Sequence, residues 1–311
     1  MARFKAGPDA GAADGVDGVI LEAMRVPALV LLTAVLAFTP NFAVAQSAKV
    51  TLTPAIVYAG APELIRVHVP GARTVDGEWL GRKIAFFEKD GEWLALVGVD
   101  VEAPTGPSTL HVMVKAAGGS EDLSRSVPIL QAHYRTGTLT VAPKFVEPPA
   151  EEMARIKAES ELKEKVFSTS ADRPLWEGDF HAPVAAEATD SFGTRRMFNG
   201  KLASVHKGAD FRAGVGTPVH AGNSGVVVIA RPLYFEGNCV VIDHGLGLYT
   251  LYMHFSRIDV KEGQRVKTGD LLGLSGATGR VTGPHLHWAV RWQSAYLDPI
   301  KLLKMDLNEI P

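Results

Sequence analysis

Gly283-Pro-His-Leu-His-Trp-Ala-Val-Arg-Trp292 reads as a turn running into a β-strand. Gly283 and Pro284 mark the turn, and the residues after it carry the apolar and aromatic character of a strand. In a strand, residues two apart project from the same face. His285 and His287 therefore point one way, and Leu286 points into the core. Two imidazoles on one face can divide labour, one binding metal while the other stands close by as acid or base. Taken alone, the pair is as well explained by a structural role.

The surrounding residues, 176–300, extend the β reading. They are dense in glycine, which marks tight turns between short strands and leaves little room for helix. Gly276-Ala-Thr-Gly-Arg-Val-Thr-Gly283 is no phosphate loop, because it lacks a terminal Gly-Lys-Ser/Thr and no helical pattern follows. Seven of the ten histidines fall between His181 and His287. Leu248-Tyr-Thr-Leu-Tyr-Met-His254 alternates, so Leu248, Thr250, Tyr252 and His254 share one face. Tyr249, Leu251, Met253 and Phe255 share the other, which looks like core, so His254 is expected on the open side. His206 and Asp210 are four apart, with Gly208 interrupting any helix between them. Imidazole nitrogen with carboxylate oxygen suits zinc, although such a pair alone is more often a polar surface contact.

Together and in this order, these pieces resemble the lysostaphin-type, or LytM-like, zinc endopeptidases, in which His-x-x-x-Asp precedes a later His-x-His. The resemblance runs from Phe192-Gly-Thr-Arg195 to Asp298-Pro299. It includes His206-Lys-Gly-Ala-Asp-Phe211, Gly216-Thr-Pro-Val-His-Ala-Gly222, Tyr252-Met-His-Phe-Ser256, Val266-Lys-Thr-Gly-Asp270 and the Gly276–Trp288 run. It implies one zinc ion per chain held by His206, Asp210 and His287, with His285 and His254 as the catalytic histidines. It also implies a peptidoglycan peptide as substrate. Phe255 and Ala209 depart from the residues usual at those positions, and neither is a ligand. His181, His220 and His244 match no catalytic position; His244, before Gly245 in an expected hairpin turn, is read as exposed. Arg195 and Asn199, just upstream of the first ligand, are candidates for lining the substrate groove, with turn or surface roles equally open.

Further out, residues 47–143 read as all-β, in short alternating runs such as Thr109-Leu-His-Val-Met-Val114 separated by Gly and Pro clusters. The expectation is an all-β chain of two β domains, the first an immunoglobulin-like sandwich and the second, 176–300, a glycine-rich antiparallel metallopeptidase sheet. Pro148-Pro149 opens a charged stretch, and 148–170 is read as a helical linker with acidic residues first and lysines last, matching the helix dipole. Residues 301–311 are left as a C-terminal tail.

The N-terminus reads as an export signal. Val26–Phe38 is an apolar run too short to span a membrane, which takes about 20 residues. It is followed by Ala43-Val-Ala-Gln46, a small-x-small cleavage pattern. Residues 1–45 are thus expected to be a signal peptide, with Met24 the better start because Arg25 then supplies its positive end. The mature protein is expected to be exported, periplasmic or extracellular, with no stable membrane insertion. With 46% apolar and 21% charged residues and a formal charge of −2, the chain shows no basic surface suited to nucleic acid. The single cysteine, Cys239, cannot pair within the chain and sits in a β-like run, as a buried inert thiol would. The competing reading is a non-catalytic wall-binding or amidase-activating module, which the full set of ligand-type residues disfavours.

Overall fold

A computed structural model describes residues 48–308 except 118 and 191; the expected export segment lies outside the described residues. The described chain is mostly β. Its front part holds two four-stranded antiparallel sheets. One orders Lys49–Thr53, Pro62–His68, Glu92–Gly98 and Phe87–Lys89; the other orders Arg82–Ala85, Ala72–Trp79, Thr109–Ala116 and Gly119–Ser126. The alternation behind this is plain in Thr109–Ala116, where Leu110, Val112 and Val114 are buried and Thr109, His111, Met113 and Lys115 are exposed. Each such burial contributes about 1.5–3 kcal/mol.

Helix Met153–Phe167 follows, with no residue fully buried. It is nonetheless fastened to the second half. Lys163 Nζ lies 2.5 Å from Glu236 Oε1, and Phe167 meets Tyr249 edge-on at 5.1 Å beneath the Arg291 guanidinium.

The second half is a ten-stranded sheet centred on Leu286–Trp292, Leu248–Ile258, Gly237–Asp243 and Gly225–Leu233, all paired antiparallel. Both of its faces are covered. One buries Leu248, Tyr252, Phe255, Leu286, Trp288 and Val290. The other buries Tyr249, Leu251, Ala289, Cys239 and Val241. The sheet therefore has no open polar face along Leu248–Met253, contrary to the alternation read from the sequence: Thr250 and Tyr252 are buried as fully as Tyr249. His254 reaches the site by a different route. Tyr252 pairs with Val240 but Phe255 with Asn238, so this strand carries one extra residue. His254 takes a left-handed φ of 68°. Such a bulge re-aims a side chain, and it places Met253 and His254 together on the face opposite Tyr252 and Phe255.

His244 also departs from expectation, being 0% exposed. The segment after the helix lies over its turn, with Leu175 N donating to His244 O and Leu246 N donating to Ala171 O, both at 2.7 Å. Its ring contacts Ser224 O and Thr250 Oγ1 at 2.7 Å each. Burial lowers its pKa to about 4, so it stays neutral.

The two halves share one buried apolar cluster. Backbone bonds join them as well: Asp298 N donates to Gly60 O at 2.8 Å, and Val101 N to Tyr296 O at 3.2 Å. Strand Thr136–Leu139, near the end of the first β region, leaves the front sheets and runs parallel beside Arg195–Phe198, which pairs on its other side with Lys201–Val205. Residues after 300 are not a loose tail as far as Asn308: Leu302 and Leu307 are buried, and Asp179 Oδ1 accepts from Leu307 N at 2.6 Å. No helix among the described residues is long and apolar enough to cross a membrane.

Candidate active site

Strand pairing brings the first two site residues together. Ala209–Phe211 lies antiparallel to Leu286–Trp292 with Asp210 directly opposite His287. Residues opposite one another share a face, so carboxylate and imidazole meet. His206 follows strand Lys201–Val205 and is pinned by its backbone, its N–H donating to Thr194 O and its carbonyl accepting from Gly193 N, both at 2.8 Å.

The three side chains converge on one point. His206 Nε2 lies 3.0 Å from Asp210 Oδ1 and 3.0 Å from His287 Nδ1, and His287 Nδ1 lies 2.8 Å from Asp210 Oδ1. All three residues are buried. Donors about 2.0–2.1 Å from a tetrahedral ion are roughly 3.3 Å apart. The triangle thus fits a divalent metal after opening by a few tenths of an ångström, with two nitrogens and one oxygen as donors. The second oxygen of Asp210 is taken by Arg196, whose Nη2 lies 2.5 Å away. Burial alone pushes the Asp210 carboxyl up, but hydrogen bonds and charge from His206 and His287 outweigh it and hold the group well below the usual carboxylate range. Burial, to which His206 and Arg196 add, lowers His287 to about 4 even against the pull of Asp210.

Close approach of the chain makes this triangle possible. A Cβ on Gly208 would stand 2.5 Å from His287 Nε2 and 2.6 Å from the Trp288 carbonyl oxygen. Gly208→Ala is therefore expected to cost about 1–3 kcal/mol of stability and to push His287 off its position. A melting curve and the metal content of the purified variant check this, and unchanged values of both would refute it.

His254 and His285 stand next to the triangle. Their ring centroids are 4.9 Å apart, and His254 lies 6.1 Å from His287. His254 Nδ1 is 2.8 Å from Thr278 O, and His285 Nδ1 is 2.8 Å from Gly283 O. A carbonyl can only accept, so both Nδ1 atoms carry hydrogen and each neutral ring keeps its lone pair on Nε2. His285 Nε2 lies 3.6 Å from Asp210 Oδ1. Burial, then repulsion from His287 and His285, lowers His254 to about 3.

These groups line a cavity of about 540 Å³, walled also by Leu139, Val141, Phe235, Met253, Arg280 and Tyr296. Arg195 and Asn199 are not among its lining residues. Arg195 is exposed, because on Arg195–Phe198 the cavity face belongs to Arg196 and Phe198. Asn199 clamps the chain instead, its side chain donating to Val141 O at 3.0 Å and accepting from Val141 N at 3.1 Å. Sequence reading missed Arg196, Thr278, Arg280 and Gly208. Period two sets Arg196 with Phe198 and Arg195 with Met197 on opposite faces, and nothing in the sequence says which face lines the cavity.

The model of peptidase family M23 matches residues 204–299. The peptidoglycan DD-endopeptidase ShyA of Vibrio cholerae is 48% identical over 101 residues, 32% of this chain and 24% of that relative. The chain thus spans about a quarter of the length of the curated relatives it matches first. A crystal structure from Pseudomonas aeruginosa described as a peptidase M23 aligns over 79% of this chain and 94% of its own, with 29% identity and a TM-score of 0.62. The catalytic domain of lysostaphin from Staphylococcus simulans is 35% identical, with 39% of this chain covering 93% of that one at a TM-score of 0.35. The chain belongs to peptidase family M23, of the lysostaphin or LytM type.

Proposed function

We propose that this chain is an exported zinc metalloendopeptidase that hydrolyses peptide bonds in the stem peptides or cross-links of bacterial peptidoglycan. The observation that carries this reading is the buried triangle of His206, Asp210 and His287 with two further imidazoles, His254 and His285, beside it in one cavity. The similarity to a peptidoglycan DD-endopeptidase supports the substrate class, and the N-terminal export pattern supports access to the wall.

His206, Asp210 and His287 hold the metal, and three protein ligands are the number found in catalytic rather than structural zinc sites. Zinc bound there supplies Lewis acidity toward water and the scissile carbonyl. Arg196 fixes the Asp210 carboxylate through its outer oxygen, leaving Oδ1 turned to the ligand triangle. His254 and His285, with Nδ1–H held by backbone carbonyls, present Nε2 toward the cavity. One Nε2 accepts the proton of the attacking water as oxygen bonds to the carbonyl carbon. As the C–N bond breaks, a proton returns to the leaving nitrogen. The low pKa of His254 keeps its Nε2 lone pair available at neutral pH.

Zymography on purified peptidoglycan tests the reading. A clearing zone is expected, lost with a chelator and restored by added zinc. Binding to peptidoglycan without clearing would instead mark a non-catalytic wall module.

A further inference from the structure

Two cations lining the cavity have no part in the chemistry above: Lys207, which is paired with Glu102 at 3.0 Å, and Arg280. Arg280 donates its backbone N–H to Phe235 O at 2.8 Å, which carries its guanidinium over the rings of Phe198 and Phe235, 4.8 and 5.1 Å from their centroids. The side chain lines the same cavity as His254 and His285. Among the described residues, no hydrogen bond or ion pair engages its N–H donors. Of the neighbouring acid, Glu236, Oε1 is held by Lys163 at 2.5 Å and Oε2 is buried without a hydrogen-bond partner. Arg196, the other guanidinium here, donates to Asp210. Burial lowers the Arg280 pKa from its ordinary value; Glu236 opposes this and Arg196 adds to it. The group still stays charged, since a guanidinium does not deprotonate in proteins.

A half-buried guanidinium set against two aromatic faces, with no hydrogen-bond acceptor on it, keeps its planar fork of donors unspent. That fork matches a carboxylate in bidentate geometry. A cavity of about 540 Å³ has room for a short piece of peptide around the cut. Resting on the peptidase reading above, we infer that Arg280 recognises a free carboxylate on a substrate residue flanking the scissile bond. The chain would then favour acidic stem peptides over neutral bridges.

The test uses full-length protein and a synthetic cross-linked stem peptide in which each carboxylate flanking the cut is separately converted to carboxamide. In the wild type, amidation of one of them is expected to lower kcat/KM by about 10- to 100-fold, the range for a hydrogen bond to a charged group. Arg280→Gln should bring the carboxylate-to-amide ratio to about 1, and Arg280→Lys should restore part of it, since a point charge lacks the planar fork. The ratio does not depend on the fraction of enzyme that is active, so partial misfolding cannot imitate the result. A wild-type ratio near 1 for every amidated peptide, or an undiminished ratio in Arg280→Gln, overturns the inference. If the wild type cuts none of these peptides, the peptidase reading fails and calorimetry on the same set still decides. Tighter binding of the carboxylate form by wild type but not by Arg280→Gln supports the inference, and equal binding of the two forms overturns it.

Discussion

Asp210→Ala is expected to purify without metal and without activity. The carboxylate is the only oxygen donor of the triangle, and its Oδ1 lies within 3.0 Å of both partner nitrogens. Its loss removes one of three ligands and the only negative charge among them. It also leaves the Arg196 guanidinium beside the site without the carboxylate it now donates to, so a positive charge faces an incoming cation. Loss of a residue that merely orients a ligand costs about 10–100-fold in metal affinity; loss of the ligand itself should exceed that. Atomic emission gives the zinc content per chain, and turnover of peptidoglycan gives the activity. Full zinc occupancy in this variant would show that the ligand assignment is wrong.

His285→Ala should behave differently. Its Nε2 lies 3.6 Å from Asp210 Oδ1, beyond the 2.8–3.0 Å spacing of the triangle. Removing it leaves His206, Asp210 and His287 in place, so zinc is retained. Turnover is expected to fall by about 10²–10⁴-fold, the usual contribution of a positioned acid or base. Zinc retained with activity lost is the signature sought. Hydrolysis at the wild-type rate would remove His285 from the mechanism.

Much of this arrangement was legible in the residues, for reasons that differ between them. His285 and His287 were readable because a strand has period two, and nothing between them breaks it. His206 and Asp210 meant little by spacing alone; it takes the partner strand, which sets Asp210 opposite His287, to make them a pair. His254 was expected on the site by an alternation that fails in the structure. The strand is buried on both faces, and the extra residue at the bulge delivers the imidazole. A bulge has no marker here, since its left-handed position is occupied by histidine rather than glycine. His244 was read as exposed because turns usually are; the covering segment comes from some 70 residues upstream, beyond local pattern. Arg195 and Asn199 sat close in sequence to the first ligand, but closeness along the chain does not say which face of Arg195–Phe198 turns inward. The two β regions and the helix between them were visible in composition and spacing. Their shared core was not, because apolar alternation looks the same whichever partner covers it.

The ribbon Thr136–Leu139 bears on how such a protein can be cut and recombined. Its hydrogen bonds close one side of Arg195–Phe198, and Leu139 with Val141 lines the catalytic hollow. A fragment that begins at Arg195, without the ribbon, would present a bare β-edge, open to pairing with neighbouring molecules, and a hollow missing part of its wall. Grafts and swaps of the front portion therefore need to carry this ribbon along with the protease half.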